Sequence, residues 1–366
     1  MCNIAGYVGE NRAAPILLDM IRRQQGFDGG SCTGIATIHE GKIYYRKVVG
    51  DVDVLMRTTD ALNLPGNIGF AHSRPGGYPD AMNCAHPFVT WDETMAGVTN
   101  GTIRGMKSKD ATTNILSMLE DCDYKFRGEM FIDDEYLPKL RNGARISSVD
   151  VRLNAVHHYH KHLGMSIPSA MARVDSEMYK DGVLGIMSLD TPDRLYFLRT
   201  TRPLTTLKAE GGTYMASCRF AFPEGVKGEV RQLPVMHPCE VFKEKIVVSE
   251  EKIQGEEVSE ITDYTLNEGY NRISALLRGK KDSPLHFDNL ESFIWEENRD
   301  LFEGDHTLIQ DARLVYDVLW KLHEEGKLHI KYVLFNKGNT YEPSDPMYND
   351  ARNIPGVRNR IFMWLD

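Results

Sequence analysis

The first segment of the chain, residues 2–9 (CNIAGYVG), is an apolar run that begins at Cys2. Its length and its lack of charge are typical of a short buried strand. If the initiator methionine is removed, Cys2 carries both a thiol and a free α-amino group. The amine titrates at about 8 and the thiol at about 8.5, so the amine can act as general base for the thiol. The pattern predicts a strand that starts at a candidate nucleophile, although position 2 alone also fits an arbitrary small residue.

Strand patterns dominate residues 2–250. A helical pattern at 13–24 ends before Gly26, and two apolar runs then flank Glu40-Gly41, which is a hairpin signature. A second helical pattern covers 151–163. Further strands are predicted at 68–72, 94–98, 182–189, 194–198, 214–217 and 240–248. Strands with helices between them favour α+β layers over a doubly wound series of parallel strands.

An acidic segment that is poor in large apolar residues, 249–260 (SEEKIQGEEVSE), separates two parts of the chain. We predict one domain at 2–250 and a C-terminal extension at 256–366. Helical patterns in the extension fall at 264–277, 290–301 and 311–325, and a strand pattern follows at 329–336. The extension is therefore expected to be mainly helical. Its role stays open, as does the question whether it is a separate domain or packs on the first one.

The formal net charge is −9, from 52 acidic and 43 basic residues. Nucleic acids and anionic membranes attract a basic surface, so we expect neither as a partner. No stretch approaches the about 20 apolar residues that span a bilayer, and no signal peptide is evident. The six cysteines are scattered without a CxxC pair. This distribution favours a reduced cytoplasm over a disulfide framework or a zinc site.

Short motifs that follow Cys2 in order are the strongest functional signal. They are Gly26-Phe27-Asp28 leading into Thr33-Gly34-Ile35-Ala36, then 69–74 (GFAHSR), 83–87 (NCAHP), 98–103 (VTNGTI) and 147–150 (SSVD). Together they resemble the class II glutamine amidotransferase domain of the N-terminal nucleophile hydrolase superfamily. The glutaminase domains of glucosamine-6-phosphate synthase, amidophosphoribosyltransferase and glutamate synthase are similar. The resemblance covers residues 2–250.

The resemblance implies a four-layer αββα sandwich that hydrolyses L-glutamine to glutamate and ammonia. Cys2 would attack the carboxamide as a thiolate, and Asn100 with the backbone N–H of Gly101 would form the oxyanion hole. A side-chain amide beside an unobstructed glycine can aim two donors at one oxygen. Each such donor is worth about 3–4 kcal/mol in the transition state. Taken alone, Asn100-Gly101 would also fit a plain hairpin turn.

The charged groups of glutamine call for side chains of opposite charge. Arg74 matches the family's arginine, which binds the α-carboxylate as a fork. Asp150 matches the family's aspartate for the α-ammonium, although the intervening segment is longer here. Either residue could instead be a surface charge. His72 and His86 are expected to be buried histidines that hold the loops of the site, not catalysts.

Several positions depart from the family pattern. Asn3 stands where glycine is usual, and Gln25 replaces an arginine. The loop Pro75-Gly76-Gly77-Tyr78 lacks the tryptophan and histidine of the sugar-phosphate synthase, in which this loop closes over glutamine and gates ammonia. We expect no paired sugar-isomerase domains, and the sequence shows no phosphoribosyl-binding signature. We therefore expect the ammonia acceptor on a separate synthase subunit or acceptor protein.

No cofactor and no metal are predicted. Residues 157–162 (HHYHKH) are dense in histidine, but no carboxylate or cysteine falls at a compelling spacing for a metal site. The glycine pairs Gly29-Gly30 and Gly76-Gly77 lack the surrounding pattern of a phosphate loop.

Two rival functions stay open at this point. The chain could be an N-terminal nucleophile amidohydrolase that acts on another amide. It could also be a catalytically silent regulatory or partner subunit, in which case Met1 would be retained. A homo-oligomer is a further option that the sequence does not decide.

Overall fold

The computed structural model describes residues 2–76, 81–101, 105–135, 137–179, 181–304, 307–336, 338–352, 354 and 356–366. The strands are β1 (Asn3–Gly9), β2 (Cys32–His39), β3 (Lys42–Val49), β4 (Ile68–Arg74), β5 (Phe88–Val89), β6 (Met95–Asn100), β7 (Glu129–Met130), β8 (Arg145–Ile146), β9 (Val183–Ser188), β10 (Leu195–Arg199), β11 (Thr205–Ala209), β12 (Gly212–Ala216), β13 (Gly228–Gln232), β14 (Cys239–Val241), β15 (Ile246–Val248), β16 (Leu285–His286), β17 (His329–Asn336), β18 (Asn339–Tyr341) and β19 (Arg358–Trp364).

The α-helices are α1 (Ala13–Gln24), α2 (Val52–Thr58), α3 (Gly105–Asp121), α4 (Ser148–Lys161), α5 (Ile167–Met178), α6 (Asp263–Leu277), α7 (Phe287–Ser292), α8 (Asp311–Glu324) and α9 (Tyr348–Ala351). Short 3₁₀ turns lie at Ala61–Asn63, Arg219–Ala221 and Arg299–Leu301, and a π-helical turn lies at Phe293–Glu297. None of the helices in the described ranges is long and apolar enough to cross a membrane.

Two large antiparallel sheets form the centre of the molecule. The first has the strand order β13-β11-β12-β1-β4-β2-β3, and the second has the order β15-β14-β10-β9-β6-β5. The N-terminal strand β1 lies between β12 and β4, and every one of its residues is buried. A strand that is paired on both sides and covered on both faces can carry no exposed charge, which explains the apolar run at 3–9.

Three apolar clusters divide this part of the chain into four layers. Ile4, Phe70 and Val98 belong to the cluster between the two sheets. Leu17 of α1 packs on the outer face of the first sheet, and α4 and α5 pack on the outer face of the second, for example through Leu153. The order helix, sheet, sheet, helix confirms the predicted four-layer α+β sandwich.

One predicted strand is wrong in its extent. The segment 240–248 forms two short strands, β14 and β15, that pair as a hairpin. The N–H of Phe242 donates to Lys245 O at 2.9 Å, which closes the turn between them. The charged residues 243–245 favour this turn over a continuous buried strand.

The C-terminal extension packs on the sandwich. Its helices α6, α7 and α8 cover a small sheet of order β16-β19-β17-β18. Of these strands only β17 was predicted. The apolar cluster of the extension includes Phe27 and Cys218 from the sandwich, so one core joins the two parts. Residues 249–262 form no helix or strand, and the domain boundary placed there stays a prediction.

Candidate active site

The register of the first sheet brings the start of β1 beside the end of β4. Asn3 pairs with Ser73, so Cys2 lies next to Arg74, the last residue of β4. Side chains alternate between the faces of a strand, and Cys2 therefore shares a face with Ile4. Because Ile4 belongs to the apolar cluster between the sheets, Cys2 faces the space between them. We call this end of the inter-sheet space the cleft.

The second sheet contributes Asn100 to the cleft. Asn100 is the last residue of β6 and follows Val98, an inter-sheet core residue, by two positions. The backbone N–H of Cys2 donates to Asn100 Oδ1 over 3.0 Å. Since an N–H can only donate, this bond fixes which arm of the amide is the oxygen. Cys2, which directly precedes β1 in the first sheet, and the amide of Asn100 in the second sheet are thus in direct contact.

The other arm of the same amide, Asn100 Nδ2, is buried. It has no hydrogen-bond partner among the described residues. A buried donor left unsatisfied costs about 1–3 kcal/mol, and such groups in native proteins call for an explanation. An oxygen of a bound substrate next to Cys2 would satisfy this donor.

Gly101 and Gly182 allow a close approach of two backbones behind Asn100. A Cβ atom on Gly101 would lie 2.1 Å from Asp181 O, and a Cβ atom on Gly182 would lie 2.1 Å from Asn100 O. Gly182 also has a φ of +124°, a conformation that L side chains rarely adopt. The backbone of Gly101 is in direct contact with residues 181–182, and for this reason neither Gly101 nor Gly182 tolerates a side chain.

His72 and His86 hold the residue that precedes Asn100. His72 Nε2 donates to Thr99 O over 3.0 Å, and His86 Nδ1 accepts the Thr99 N–H over 3.1 Å. The rings stack with centroids 3.9 Å apart. Burial, with a smaller effect of Arg74, lowers the pKa of His72 to about 3 and moves the pKa of His86 in the same direction. Both rings are therefore neutral near pH 7, and both bind the backbone beside Asn100.

Positive charges act on the thiol of Cys2. Burial raises the pKa of the Cys2 thiol, while Arg74 and Arg202 are among the positive charges that oppose this rise. Arg74 Nη1 donates to Cys84 O over 2.7 Å, which holds its guanidinium at the cleft. Arg202 was not predicted as a site residue, because nothing local in its segment indicates what lies next to it.

Asp150 lies in the first turn of α4, where it is fully buried. Its Oδ2 accepts the N–H of Gly128 over 3.1 Å, and its Oδ1 accepts from Asn154 Nδ2 over 2.8 Å. Burial raises the pKa of this carboxyl to about 6, although hydrogen bonds and the charge of Lys47 oppose the rise. Among the described residues, no hydrogen bond connects Asp150 to Cys2.

Lys47 is a charged residue of the cleft that the sequence motifs did not indicate. It pairs with Gly34, which pairs in turn with His72, so all three share the face that looks into the cleft. Lys47 Nζ donates to Ala85 O over 3.1 Å. Burial lowers the pKa of Lys47, and the charge of Asp150 opposes this shift. Only the long-range pairing of β2 with β4 brings Lys47 to the site.

Asn3 and Gln25, the two departures from the family pattern, hold the loop behind Cys2. Asn3 Nδ2 donates to Gln24 O over 3.1 Å and to Asp28 O over 2.7 Å. Gln25 Oε1 accepts the N–H of Val52 over 3.0 Å. The Gly-Phe-Asp motif thus lies in a loop that is hydrogen-bonded to β1.

Parts of two predicted motifs lie outside the described residues. These are Gly77-Tyr78 in the loop that follows β4 and Thr102-Ile103 in the motif that begins in β6. The geometry given above comes from the motif residues before these gaps.

The histidine-dense segment of α4 makes packing contacts. His157 Nε2 lies 3.0 Å from Asp92 Oδ2, and its Nδ1 lies 2.8 Å from the hydroxyl of Tyr124. His160 Nε2 lies 2.9 Å from Asp190 Oδ2. In the part of the chain that the structure describes, no group of three or more His, Cys, Asp or Glu side chains is arranged to hold a metal ion.

The chain is similar in sequence to known proteins over part of its length, although no protein-family model matches it. Glutamine–fructose-6-phosphate aminotransferase (isomerizing) of Pyrococcus horikoshii is 28% identical over 219 residues, which are 59% of this chain and 32% of that protein. Its namesake in Clostridium acetobutylicum is 29% identical over 219 residues, which are 59% of this chain and 31% of that protein. The match therefore spans about a third of the length of these relatives.

Solved structures share the fold. Glutamine phosphoribosylpyrophosphate amidotransferase of B. subtilis, complexed with ADP and GMP, has a TM-score of 0.55 and 14% identity, covering 75% of this chain and 58% of that chain. A structure of the allosteric regulatory enzyme of purine biosynthesis has a TM-score of 0.53 and 15% identity, covering 98% of this chain and 71% of that chain. The layers, the ordered motifs and these relatives agree. The chain is thus similar in sequence to glutamine–fructose-6-phosphate aminotransferases, and it shares the fold of a glutamine amidotransferase of known structure.

Proposed function

We propose that this protein hydrolyses L-glutamine to glutamate and ammonia, with Cys2 as an N-terminal nucleophile. The observation that carries the proposal is the bond from Cys2 to Asn100, whose Nδ2 is a buried donor without a partner among the described residues. Amide hydrolysis needs a nucleophile beside a donor for the developing oxyanion. The relation to glutamine–fructose-6-phosphate aminotransferases supports glutamine as the amide.

In the proposed reaction, Cys2 Sγ attacks the carboxamide carbon after its proton passes to the α-amino group that removal of Met1 exposes. Asn100 Nδ2 and the N–H of Gly101 hold the oxyanion of the tetrahedral intermediate. The C–N bond then breaks, and the α-ammonium group gives its proton to the departing ammonia. Water, which loses a proton to the same amine, attacks the glutamyl thioester and releases glutamate and the thiol.

Arg74 and Asp150 are proposed to bind the charged groups of glutamine. Arg74 lies beside Cys2 in the register of the sheet, and its planar guanidinium suits the α-carboxylate. Asp150 would bind the α-ammonium. Its charge acts on Lys47, which faces the cleft, but its oxygens already accept a backbone N–H and a side-chain amide. A substrate ammonium would therefore add a further bond to this carboxylate.

The ammonia is proposed to pass to an acceptor on a separate synthase subunit or acceptor protein. The match to aminotransferases covers only about a third of their length, which supports an acceptor outside the matched region. We also propose that the protein acts in the cytoplasm. All six cysteines are free, and a thiol nucleophile needs a compartment that keeps it reduced.

A glutaminase assay on protein whose N-terminus has been verified as Cys2 by intact mass tests this function. Cys2→Ala should abolish turnover. The matched control Cys122→Ala removes an exposed thiol outside the cleft and should keep turnover within about threefold of the original. Equal turnover by the original protein and Cys2→Ala would refute the proposal. Retention of Met1 in the native protein together with no turnover would support a silent subunit.

A further inference from the structure

Behind the oxyanion site, residues 181–182 are bonded to a second backbone segment. The N–H of Gly182 donates to Thr200 Oγ1 over 2.6 Å, and the N–H of Thr200 donates to Gly182 O over 2.9 Å. Because Gly182 lies against the backbone of Asn100, Thr200 is only one contact away from the oxyanion donor. The segment 199–202 is therefore the outer support of this corner of the cleft.

The carboxylate of Asp181 strengthens this support. Asp181 Oδ1 accepts from Thr200 Oγ1 over 2.7 Å and from the N–H of Thr201 over 3.2 Å. Asp181 is buried, and its charge also acts on Arg202. Because Gly101 packs directly on Asp181 O, a displacement of the 199–202 segment would also displace Gly101.

The C-terminal extension holds the same segment from its other side. Arg202 forms an ion pair with Glu291 of α7, and its Nη1 lies 3.9 Å from Oδ1 of Asp311, the first residue of α8. Arg199 Nη1 donates to Gln310 Oε1 over 3.0 Å. The extension thus contacts the 199–202 segment, this segment is hydrogen-bonded to residues 181–182, and residues 181–182 pack on Asn100 and Gly101.

Arg202 is a buried charge that these partners compensate. Its side chain is only 16% exposed, and those of Glu291 and Asp311 are 17% and 3% exposed. Burial disfavours the charge, but Glu291, Asp311 and Asp181 outweigh burial and raise the pKa of Arg202 above its ordinary value. A buried ion that loses its partner is strongly destabilised and tends to move or to recruit water.

We propose that Arg202 is a positioning residue for the oxyanion site and for Cys2, and that Glu291 and Asp311 of the extension hold it in place. The extension is then a structural part of the active site and not an appended module. The inference rests on the proposed glutaminase function, because it concerns the same nucleophile. Among the described residues, the charged or titratable groups that act on Cys2 or Arg202 include Arg74, Cys32, Asp181, Glu291 and Asp311.

The first experiment does not depend on glutamine turnover. Alkylation of Cys2 by iodoacetamide is followed across pH, with the N-terminal peptide quantified by mass spectrometry so that other thiols do not contribute. Arg202→Met removes a positive charge that acts on the thiol and should raise the midpoint pH of alkylation. Arg202→Lys keeps the charge and should lie closer to the original midpoint. An unchanged midpoint in Arg202→Met would overturn the inference.

The second experiment measures turnover in two variants that each remove a carboxylate between the sandwich and the extension. Glu291→Gln loosens Arg202, whereas Asp53→Asn removes a pair with Arg352 and a bond to Arg22. Glu291→Gln should lower kcat about fivefold or more with KM within about twofold, and Asp53→Asn should change neither. Indistinguishable kcat values for the two variants would overturn the role of the extension.

Thermal unfolding of each variant ensures that only folded protein is compared. If Arg202→Met does not fold, the midpoint of Arg202→Lys and the turnover of Glu291→Gln decide the inference. If the original protein lacks glutaminase activity, the proposed function fails, while the alkylation midpoints still decide whether Arg202 acts on Cys2.

Discussion

The imidazole rings of His72 and His86 stack with their centroids 3.9 Å apart, and they bind the two sides of one residue, Thr99. One ring donates to the carbonyl and the other accepts from the N–H. Since both rings are neutral, they can hold the backbone before Asn100 over a broad pH range. We expect the pH dependence of turnover to arise from the amine and thiol of Cys2, not from this pair.

Acid should weaken the fold through these two histidines. Burial lowers the pKa of His72 to about 3 and lowers that of His86 as well, whereas an unfolded histidine takes up a proton below about 6.5. The unfolded state therefore binds more protons between about pH 6.5 and 3. In this window the free energy of unfolding should fall with decreasing pH, by up to about 1.4 kcal/mol per unit for each histidine. Urea unfolding at several pH values between about 7.5 and 5 measures the slope.

The control for this prediction is a histidine at the surface. His72→Asn should reduce the slope and should also lower stability near pH 7, because Thr99 loses a bond. His39→Asn replaces a side chain that is 42% exposed and should leave the slope unchanged. A free energy of unfolding in the original protein that stays constant across the window would contradict the neutral pair.

Asn100→Ala should lower kcat by about 10²–10³ with a much smaller effect on KM. The reason is that Asn100 Nδ2 is a buried donor beside Cys2 and would meet the carbonyl oxygen most strongly once that oxygen becomes an oxyanion. Steady-state glutaminase kinetics measure the split between kcat and KM. Asn142→Ala, at an exposed amide that donates to Glu129, is the matched control and should keep both constants. A loss confined to KM would show that Asn100 binds the ground state and is no oxyanion donor.

Gly182→Ala should be more damaging than an ordinary glycine substitution. Its Cβ would lie 2.1 Å from Asn100 O, at a φ of +124°. Gly164 has a φ of +68° with no atom within 4 Å of the added Cβ. Gly164→Ala should therefore lower the free energy of unfolding by only about 1–2 kcal/mol, which is the cost of placing an alanine in a left-handed conformation. Denaturant unfolding and kcat should both fall further in Gly182→Ala. Equal losses in the two variants would mean that the contact with Asn100 is unimportant.

The strands of the sandwich could be predicted because burial is encoded locally, whereas its four layers were implied by the resemblance that the ordered motifs carry. Strands such as β9 and β10 are apolar runs bounded by turn residues, and the motif order placed Arg74 and Asn100 in one site. The small sheet of the extension could not be predicted. β19 alternates weakly between charged and apolar residues, and its pairing with β17 decides its conformation.

Arg202 and Lys47 were missed for a related reason. The face of a strand residue follows from alternation, but its neighbours depend on which strands pair. Ala5 of β1 pairs with Ala71 on one side and with Ala216 on the other, and no local pattern specifies contacts over such separations. Asp150 shows the opposite case, because its motif indicated a substrate contact while the fold surrounds it with backbone and amide donors.

Arg74→Ala should raise KM for glutamine by about 10- to 150-fold, because a bond to a charged group is worth about 1.5–3 kcal/mol and one end of the substrate would lose it. Arg74→Lys keeps the charge but not the planar fork, so its KM for glutamine should lie between that of the original protein and that of Arg74→Ala. 4-Aminobutyramide has the same carboxamide chain without the α-carboxylate, so neither variant should raise its KM. Arg46→Ala, which breaks an exposed pair with Asp60, serves as the control and should keep KM unchanged. If Arg74→Ala impairs both amides equally, the arginine acts on the reacting centre. If it impairs neither, the physiological amide is not glutamine.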